Sequence, residues 1–470
     1  MVWAASIEVL PEEVILEIFY FHKLACESGS CEWQERWGEL AQVCRRWRTT
    51  VFSSQHRLDL RLLCTPKTSI NSLDLWPTFP TIIRNNYVYD NWDNIIAALQ
   101  QRDRVCEIHL RGPLPREVSR MMQEPFPLLD SLALHAWDSR VFSCPSTFLG
   151  GFAPHLRVLH LDVFPRHSPP FKLQQILSSA GHLVDLRLER VDNTGCISPE
   201  ALVAALSATA RLQTLYLQFL HATSRSNPRN IPPSSGRIVS FALLRLTFEG
   251  PCNYLGDLLS RITTPSLEFT HIKLIENPET PSFDVSQLSQ FLGRVESQSL
   301  PDGAEVRDCA RGIRFSLTRS VALPGGRPNM SECFQLELPF RSRRTKLLLM
   351  TQIFPQISPF LSNVRALSIY MVAHLWHEYE HGGRWVDLFR VFSHVEKLYV
   401  TGRSTPNVVC ALQLVSAEMA TDVLPALREL GLDSVSQDYG SQKIVTSFND
   451  VRTLAGLPAI TFRRLNCGPT

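Results

Sequence analysis

His377-Glu378-x-x-His381 is the stretch of this 470-residue chain whose residue types and spacing come nearest to a chemical site. Two histidines at i and i+4 on a regular helix can hold a zinc ion, and a glutamate beside the first can polarise a metal-bound water for hydrolysis. That chemistry needs a helix of several turns and a third ligand. The motif instead follows the strand-like VRALSI (364–369) within a few residues and is closed by Gly382-Gly383. An extended motif would have glycine and histidine where this chain has Arg384 and Asp387, and Glu396 falls in the next strand-like segment. We expect a solvated loop there and no metal ligand. The chain also lacks a Gly-rich phosphate loop, a G-x-S-x-G elbow and any C-x-x-C pair. The expectation is a protein that is not an enzyme, with no catalytic residue and no cofactor.

The second candidate is VCRRWR (43–48), where three arginines stand beside a cysteine and a tryptophan. A nucleic-acid grip needs a basic face with exposed stacking aromatics. WQERWGELAQVCRRWRTTVF (33–52) reads instead as one amphipathic helix, with Trp33, Trp37, Leu40, Val43, Cys44, Trp47 and Val51 on a stripe at spacings of three and four. Arg45, Arg46 and Arg48 fall largely off that stripe, in solvent or with their stems laid along it, and Glu32, Glu35 and Glu39 precede them. Cys44 reads as a packing residue rather than a reactive thiol. Upstream, LPEEVILEIFYFH (10–22) places Val14, Ile15, Ile18, Phe19 and Phe21 or His22 on a second stripe after a Leu-Pro start. A segment this small has too little core to stand alone, so its apolar stripe reads as made for a partner.

Composition narrows the classes further. Lys+Arg 47 against Asp+Glu 45 gives a net charge of +2, which removes the global attraction for a polyanion, and 44% apolar residues can fill a large core. Twelve cysteines are spread singly from Cys26 to Cys467, the pattern of reduced thiols. Glu8, Glu12 and Glu13 stand where a signal peptide would be apolar, and no apolar run approaches the roughly 18 residues of a membrane span. These features predict a soluble intracellular protein, in cytoplasm or nucleus, with neither nucleic acid nor membrane as partner.

From residue 100 a short pattern, apolar-x-x-apolar-x-apolar, recurs. It is found at VCEIHL (105–110), LDSLAL (129–134), LRVLHL (156–161), LVDLRL (183–188), LQTLYL (212–217), FALLRL (241–246) and FTHIKL (269–274). It returns at CFQLEL (333–338), VRALSI (364–369), VEKLYV (395–400) and LRELGL (427–432), with GIRFSL (312–317) as a worn copy between. Amphipathic stretches such as NIIAALQQ (94–101), PEALVAALSATA (199–210) and WVDLFRVF (385–392) lie between these strands. Ser198, Pro199 and Glu200 mark one helix start. A strand and a helix in every 24 to 32 residues predict stacked units sharing one core, a solenoid. Ordinary β-α-β units would also alternate; the near-constant period favours the array. In each strand the residues beside the two buried ones face the concave side, among them His109 and Arg111, His160, Arg187, Tyr216, His271 and Lys273, Tyr370, and Tyr399. This mixed, Tyr-bearing face suits a target protein.

Over roughly residues 100–465 the array resembles the leucine-rich repeat family, except that Trp137, Phe164, Val191, Leu220, Glu249 and Val435 stand where that family places Asn or Cys. At the N-terminus, LPEEVILEIF and LAQVCRRWR resemble the two halves of the F-box signature. RLDLRLLCTP, LDLWPTFP and VLPALREL extend the resemblance to the large F-box set of mushroom-forming fungi. The resemblance implies an α/β fold in which a short helical F-box precedes a leucine-rich repeat solenoid, parallel strands on its concave face and helices on its convex face. It divides the chain into 1–55, an F-box-like segment; 56–100, a connecting strand and Pro-rich segment; and 101–470, degenerate repeats. It further implies docking of a Skp-type adaptor through Leu10, Pro11, Ile18, Phe19, Leu40, Val43, Cys44 and Trp47, joining a cullin-based ubiquitin ligase that receives a target held by the repeats. The alternative is a repeat scaffold acting outside any ubiquitin ligase.

Overall fold

A computed structural model describes residues 10–28, 33–68, 78–85, 92–136, 148–162, 173–191, 197–220, 237–240, 242–275, 286–295, 300–309, 312–321, 329–339, 345–371, 382–402, 405–433 and 440–465. It is a mixed α/β protein whose strands are mostly parallel. Contacts divide the chain into two compact units, Met1–Leu186 and Arg187–Thr470.

The first unit opens with three helices, α1 (Glu12–Ser28), α2 (Trp33–Val43) and α3 (Arg45–Ser53). Pro11 precedes α1 and its carbonyl accepts from Val14 and Ile15, while Glu12 and Glu13 sit at the positive end of the helix dipole. The single helix expected over 33–52 is in fact two. Cys44 is extended (φ −158, ψ 171) and caps α3, its Sγ accepting from the Trp47 amide at 3.4 Å. The apolar spacing runs through the break unchanged, so the period alone could not reveal it.

Five strands follow, ordered β1 (Leu62–Cys64), β2 (Thr81–Asn85), β3 (Val105–Gly112), β4 (Ser131–Ala136) and β5 (Val158–Asp162), all parallel where paired. Between strands the chain crosses through α4 (Asp93–Gln100) and α5 (Arg116–Met121). The recurring pattern fixes the register: Ile108 pairs with Leu132 and Leu132 with Leu159, and all three are fully buried. Each such leucine contributes roughly 1.5–3 kcal/mol of burial. The helices pack on this sheet's beginning through Trp37, whose ring lies edge-on to Phe79 at 5.6 Å and whose Nε1 donates to the Arg61 carbonyl at 3.0 Å.

The division between the units falls within β6 (Asp185–Val191). The second unit continues with α7 (Pro199–Ala208; α6 is Leu173–Ser179), capped by Ser198 Oγ from the Ala201 amide at 3.2 Å, and β7 (Thr214–Phe219). A short parallel pair, β8 (Ile238–Val239) and β10 (Ile262–Thr263), stands apart from the main ladder. The strand expected at 241–246 lies at β9 (Arg245–Gly250), after which come α8 (Cys252–Arg261) and β11 (Phe269–Leu274). Leu215 pairs with Leu246, and Leu246 with Thr270, so FALLRL and FTHIKL are displaced by two residues from the expected phase. Leu243 and Leu267 are buried just before these strands and set that phase.

The larger correction lies beyond α9 (Ser286–Leu292). GIRFSL is not a worn parallel repeat but part of β13 (Gly312–Val321), the middle strand of an antiparallel meander with β12 (Gly303–Cys309) and β14 (Asn329–Pro339). The spatial order is β11-β14-β13-β12-β15, with β15 at Ala366–Met371. Three antiparallel strands restore the original direction, so β14 is parallel to β11 and β12 to β15. Gly312 allows the tight approach of β13 to β14, since a Cβ there would lie 2.2 Å from the Leu338 carbonyl oxygen. After α10 (Thr345–Ile353) and α11 (Ser358–Leu361), regularity returns. Leu367, Leu398 and Leu430 align across β15, β16 (Lys397–Gly402) and β17 (Glu429–Asp433), and β18 (Thr461–Leu465) closes the edge. Helices α12 (Gly382–Arg390), α13 (Thr405–Gln413) and α14 (Gly440–Leu454) lie between them. The His377–His381 motif lies outside the described residues. Among the described residues no helix is long and apolar enough to cross a membrane, and Cys26, Cys44, Cys64, Cys106, Cys252, Cys309, Cys333 and Cys410 are free thiols.

Candidate protein-docking surfaces

Helix α1 carries apolar residues on two faces. Ile15 and Phe19 are fully buried, with Phe19 edge-on to Trp47 at 4.9 Å and Val51 buried in the same cluster. Val14, Ile18, Phe21 and Leu24, spaced by four, three and three, form a second stripe that faces water, with Ile18 37% and Phe21 66% exposed. A mere solvated helix would carry charge on that side. The sequence had merged both faces into one stripe.

Placement of the residues expected to meet an adaptor follows from this. Phe19, Leu40 and Trp47 are buried inside the helical segment, Pro11, Ile18 and Val43 are exposed, and Leu10 and Cys44 are half-buried. Two arginines of VCRRWR reach backbone carbonyls. Arg46 Nη2 donates to the Leu10 carbonyl, joining the start of α1 to α3, and Arg48 Nε donates at 2.9 Å to the Ala41 carbonyl, which is unpaired in the last turn of α2. Two of its three arginines are therefore tied to backbone carbonyls and hold the helices in place.

The outward strand face of the first unit centres on Glu107. Its carboxylate accepts from Arg84 at 2.6 Å and lies 3.2 Å from His109 Nε2 and 3.7 Å from Arg61. Burial alone would raise this carboxyl, but hydrogen bonds from His109 and Arg84 and their charges outweigh it and hold the pKa down to about 2. Arg111, four residues further along β3, is exposed, and His160 Nε2 meets Asp185 at 3.1 Å. A cleft of about 900 Å3 opens where β2, β3 and β4 begin; its Arg102 is paired with Glu124 at 2.9 Å, and its Arg104 donates to Thr81 Oγ1 at 2.9 Å.

In the second unit Arg187, Tyr216, His271, Lys273, Tyr370 and Tyr399 are all half-buried on the outward face. Registers place His271 in line with Gln335, and Lys273 with Glu337. Glu249 holds Lys273 and accepts from Gln218 at 2.9 Å, while Tyr399 Oη donates to Glu429 at 3.4 Å. Burial and the Glu429 charge push the Tyr399 hydroxyl up. His271 Nε2 lies 3.6 Å from Glu337, beyond a hydrogen bond; burial, assisted by the Arg314 charge, pushes its pKa down against the pull of Glu337.

The meander adds residues that the repeat pattern missed. Arg307 on β12 and Arg314 on β13 are directly paired across the strands, with Glu305 and Glu337 beside them. The alternation of AEVRDC and GIRFSL is the signal that could have found them. The carboxylates sit deep and the cations stand out: Glu337 is 20% exposed, Arg314 39% and Arg307 50%. No protein-family model matches the chain, and no curated protein sequence matches it.

Proposed function

We propose that this chain is a non-enzymatic adaptor. Its N-terminal helices act as an F-box that docks a Skp-type protein and so joins a cullin-based ubiquitin ligase, and its strand-helix units act as a degenerate leucine-rich repeat solenoid whose strand face holds a target protein. Catalysis belongs to the partners. The single observation that supports this reading most is the bare stripe of Val14, Ile18, Phe21 and Leu24 on a helix whose opposite face is locked by Phe19, Trp47 and Val51. Exposed apolar surface on a helix is the property a groove-binding partner needs, and here it begins at Val14 and Ile18 within LPEEVILEIF, the segment that resembles the F-box, and runs on past it to Phe21 and Leu24.

The test is co-purification of the intact chain with a purified Skp-type adaptor, beside an Ile18→Asp variant. A stable complex with the wild type, lost in a variant whose circular dichroism is unchanged, is the expected result. If the folded wild-type chain captures no adaptor, the ligase reading falls, and a scaffold outside any ubiquitin ligase takes its place.

A further inference from the structure

Two arginines directly opposite each other in an antiparallel ladder have Cβ atoms about 5 Å apart and repel. Arg307 and Arg314 occupy such a pair, on the outward face of the meander. Each is held from one side. Glu305 receives Arg307 Nε at 2.8 Å and Nη2 at 2.6 Å, and Glu337 receives Arg314 Nε and Nη2, both at 2.8 Å. In both guanidiniums the remaining nitrogen, Nη1, bonds to no described residue. Next in the same row, across β12 and β15, stands Tyr370, whose ring lies 5.5 Å beneath the Arg307 guanidinium and whose hydroxyl also bonds to no described residue.

We propose that Arg307, Arg314 and Tyr370 form an oxyanion cradle that takes a carboxylate from an acidic segment of the target protein; this rests on the reading of the strand face as the target surface. The geometry favours it for three reasons. A like-charge pair fixed in the ladder lowers its energy when an anion enters between the two cations, and guanidinium donors match a carboxylate. The pinned side chains lose little rotamer freedom on binding, because Glu305 and Glu337 already orient them. The charge balance also selects the anion. Glu337 and Glu249 lie in the same row as the two arginines and Glu305 in the neighbouring one, and they repel a continuous polyanion, while separate acidic side chains can sit between them. A singly charged carboxylate meets less repulsion from Glu305 and Glu337 than a phosphate dianion does.

The full-length chain would be titrated against a fluorescein-labelled alternating Glu-Gly peptide by anisotropy, with the Gln-Gly peptide, inorganic phosphate and an oligothymidine as comparisons. The wild type should bind the Glu peptide saturably and more weakly as salt rises. Arg307→Gln/Arg314→Gln should lose about tenfold or more in affinity. Glu305→Gln/Glu337→Gln, which keeps an amide oxygen beside each guanidinium but removes two charges that repel the incoming carboxylate, should bind several-fold more tightly, and loss of folding cannot give that gain. Failure of the wild type to bind, equal binding of the Gln-Gly peptide, or competition by phosphate or oligothymidine matching that of the Glu peptide overturns the proposal. Adaptor capture measured on the same samples separates the two readings. A chain that captures the adaptor yet ignores the peptide refutes the cradle alone; one that does the reverse refutes the F-box alone.

Discussion

Arg452→Leu is expected to unfasten the C-terminal end of the second unit. Arg452 is 0% exposed near the end of α14, and its guanidinium serves four backbone carbonyls. Nε donates to Pro458 at 3.1 Å, Nη1 to Leu424 at 3.0 Å, and Nη2 to Pro425 at 3.1 Å and Leu427 at 2.9 Å. Leu424 itself holds a left-handed backbone (φ 51), so the turn it opens is strained and depends on such ties. Burial pushes the guanidinium pKa down, but arginine stays charged throughout the working pH range, so no pH dependence is expected. Hydrogen bonds from a charged donor contribute roughly 1.5–3 kcal/mol each, and four would approach the whole margin of a domain, about 5–15 kcal/mol. That sum overstates the effect, because burying the cation itself costs several kcal/mol. The deciding quantity is what leucine leaves behind, buried carbonyls without donors at about 1–3 kcal/mol each. With part of the turn rehydrating, a loss of about 3–5 kcal/mol remains. Hydrogen exchange read by mass spectrometry should then show amides of 424–433 and of α14 exchanging roughly a hundred to several thousand times faster. Arg452→Lys, which keeps the charge but not the planar fork, should fall between. Wild-type protection in the leucine variant would refute the reasoning, as would a loss spread equally over the first unit.

Two further outcomes follow from single side chains or their absence. The Glu107 carboxyl is held at about 2 in the folded chain against an ordinary 4.5, so its contribution is fully present above pH about 4.5 and fades as the pH falls towards 2. At about 1.4 kcal/mol per unit this is on the order of 3 kcal/mol. Urea midpoints at neutral and acid pH should therefore converge in Glu107→Gln, and an unchanged pH dependence would contradict the assigned network. Gly312→Ala must push β13 from the Leu338 carbonyl, backbone against backbone, and should destabilise the meander by about 2 kcal/mol or more; a chemical denaturation curve identical to wild type would show that the two strands do not approach so closely.

Much of the fold was legible because burial in parallel strands leaves a two-residue signature. Leu132 and Leu159, or Leu398 and Leu430, stand in register as their spacing predicts. The pattern failed where it was degenerate. Leu243, Leu244 and Leu246 satisfy two phases at once, and the buried Leu243 and Phe248 select the later one; in the next strand Thr270 takes an apolar position and hides the repeat. The break at Cys44 was invisible for a different reason. Apolar spacing reports which face is buried, not whether the backbone between two buried residues is helical, and only the extended Cys44 and its bond to the Trp47 amide separate α2 from α3. The same limit explains α1, where one apolar composition serves an inner face and an outer one.

The strand face was legible in residue types but not in pairing. Alternation identifies outward residues; which of them meet depends on the strand that becomes the spatial neighbour. In a parallel array that neighbour lies one repeat away, and several charges are met by it: Lys273 by Glu249, Arg84 by Glu107. The meander breaks this rule because its strands run antiparallel, so Arg307 meets Arg314 from only seven residues away rather than a residue from the adjacent repeat. Pairing one repeat apart brings opposite charges together in those strands; reversal of direction brings like charges together here. Under the proposed function, selectivity for a target is therefore expected to reside in β12, β13 and β14, which interrupt the period, with the parallel strands β11 and β15 on either side of them.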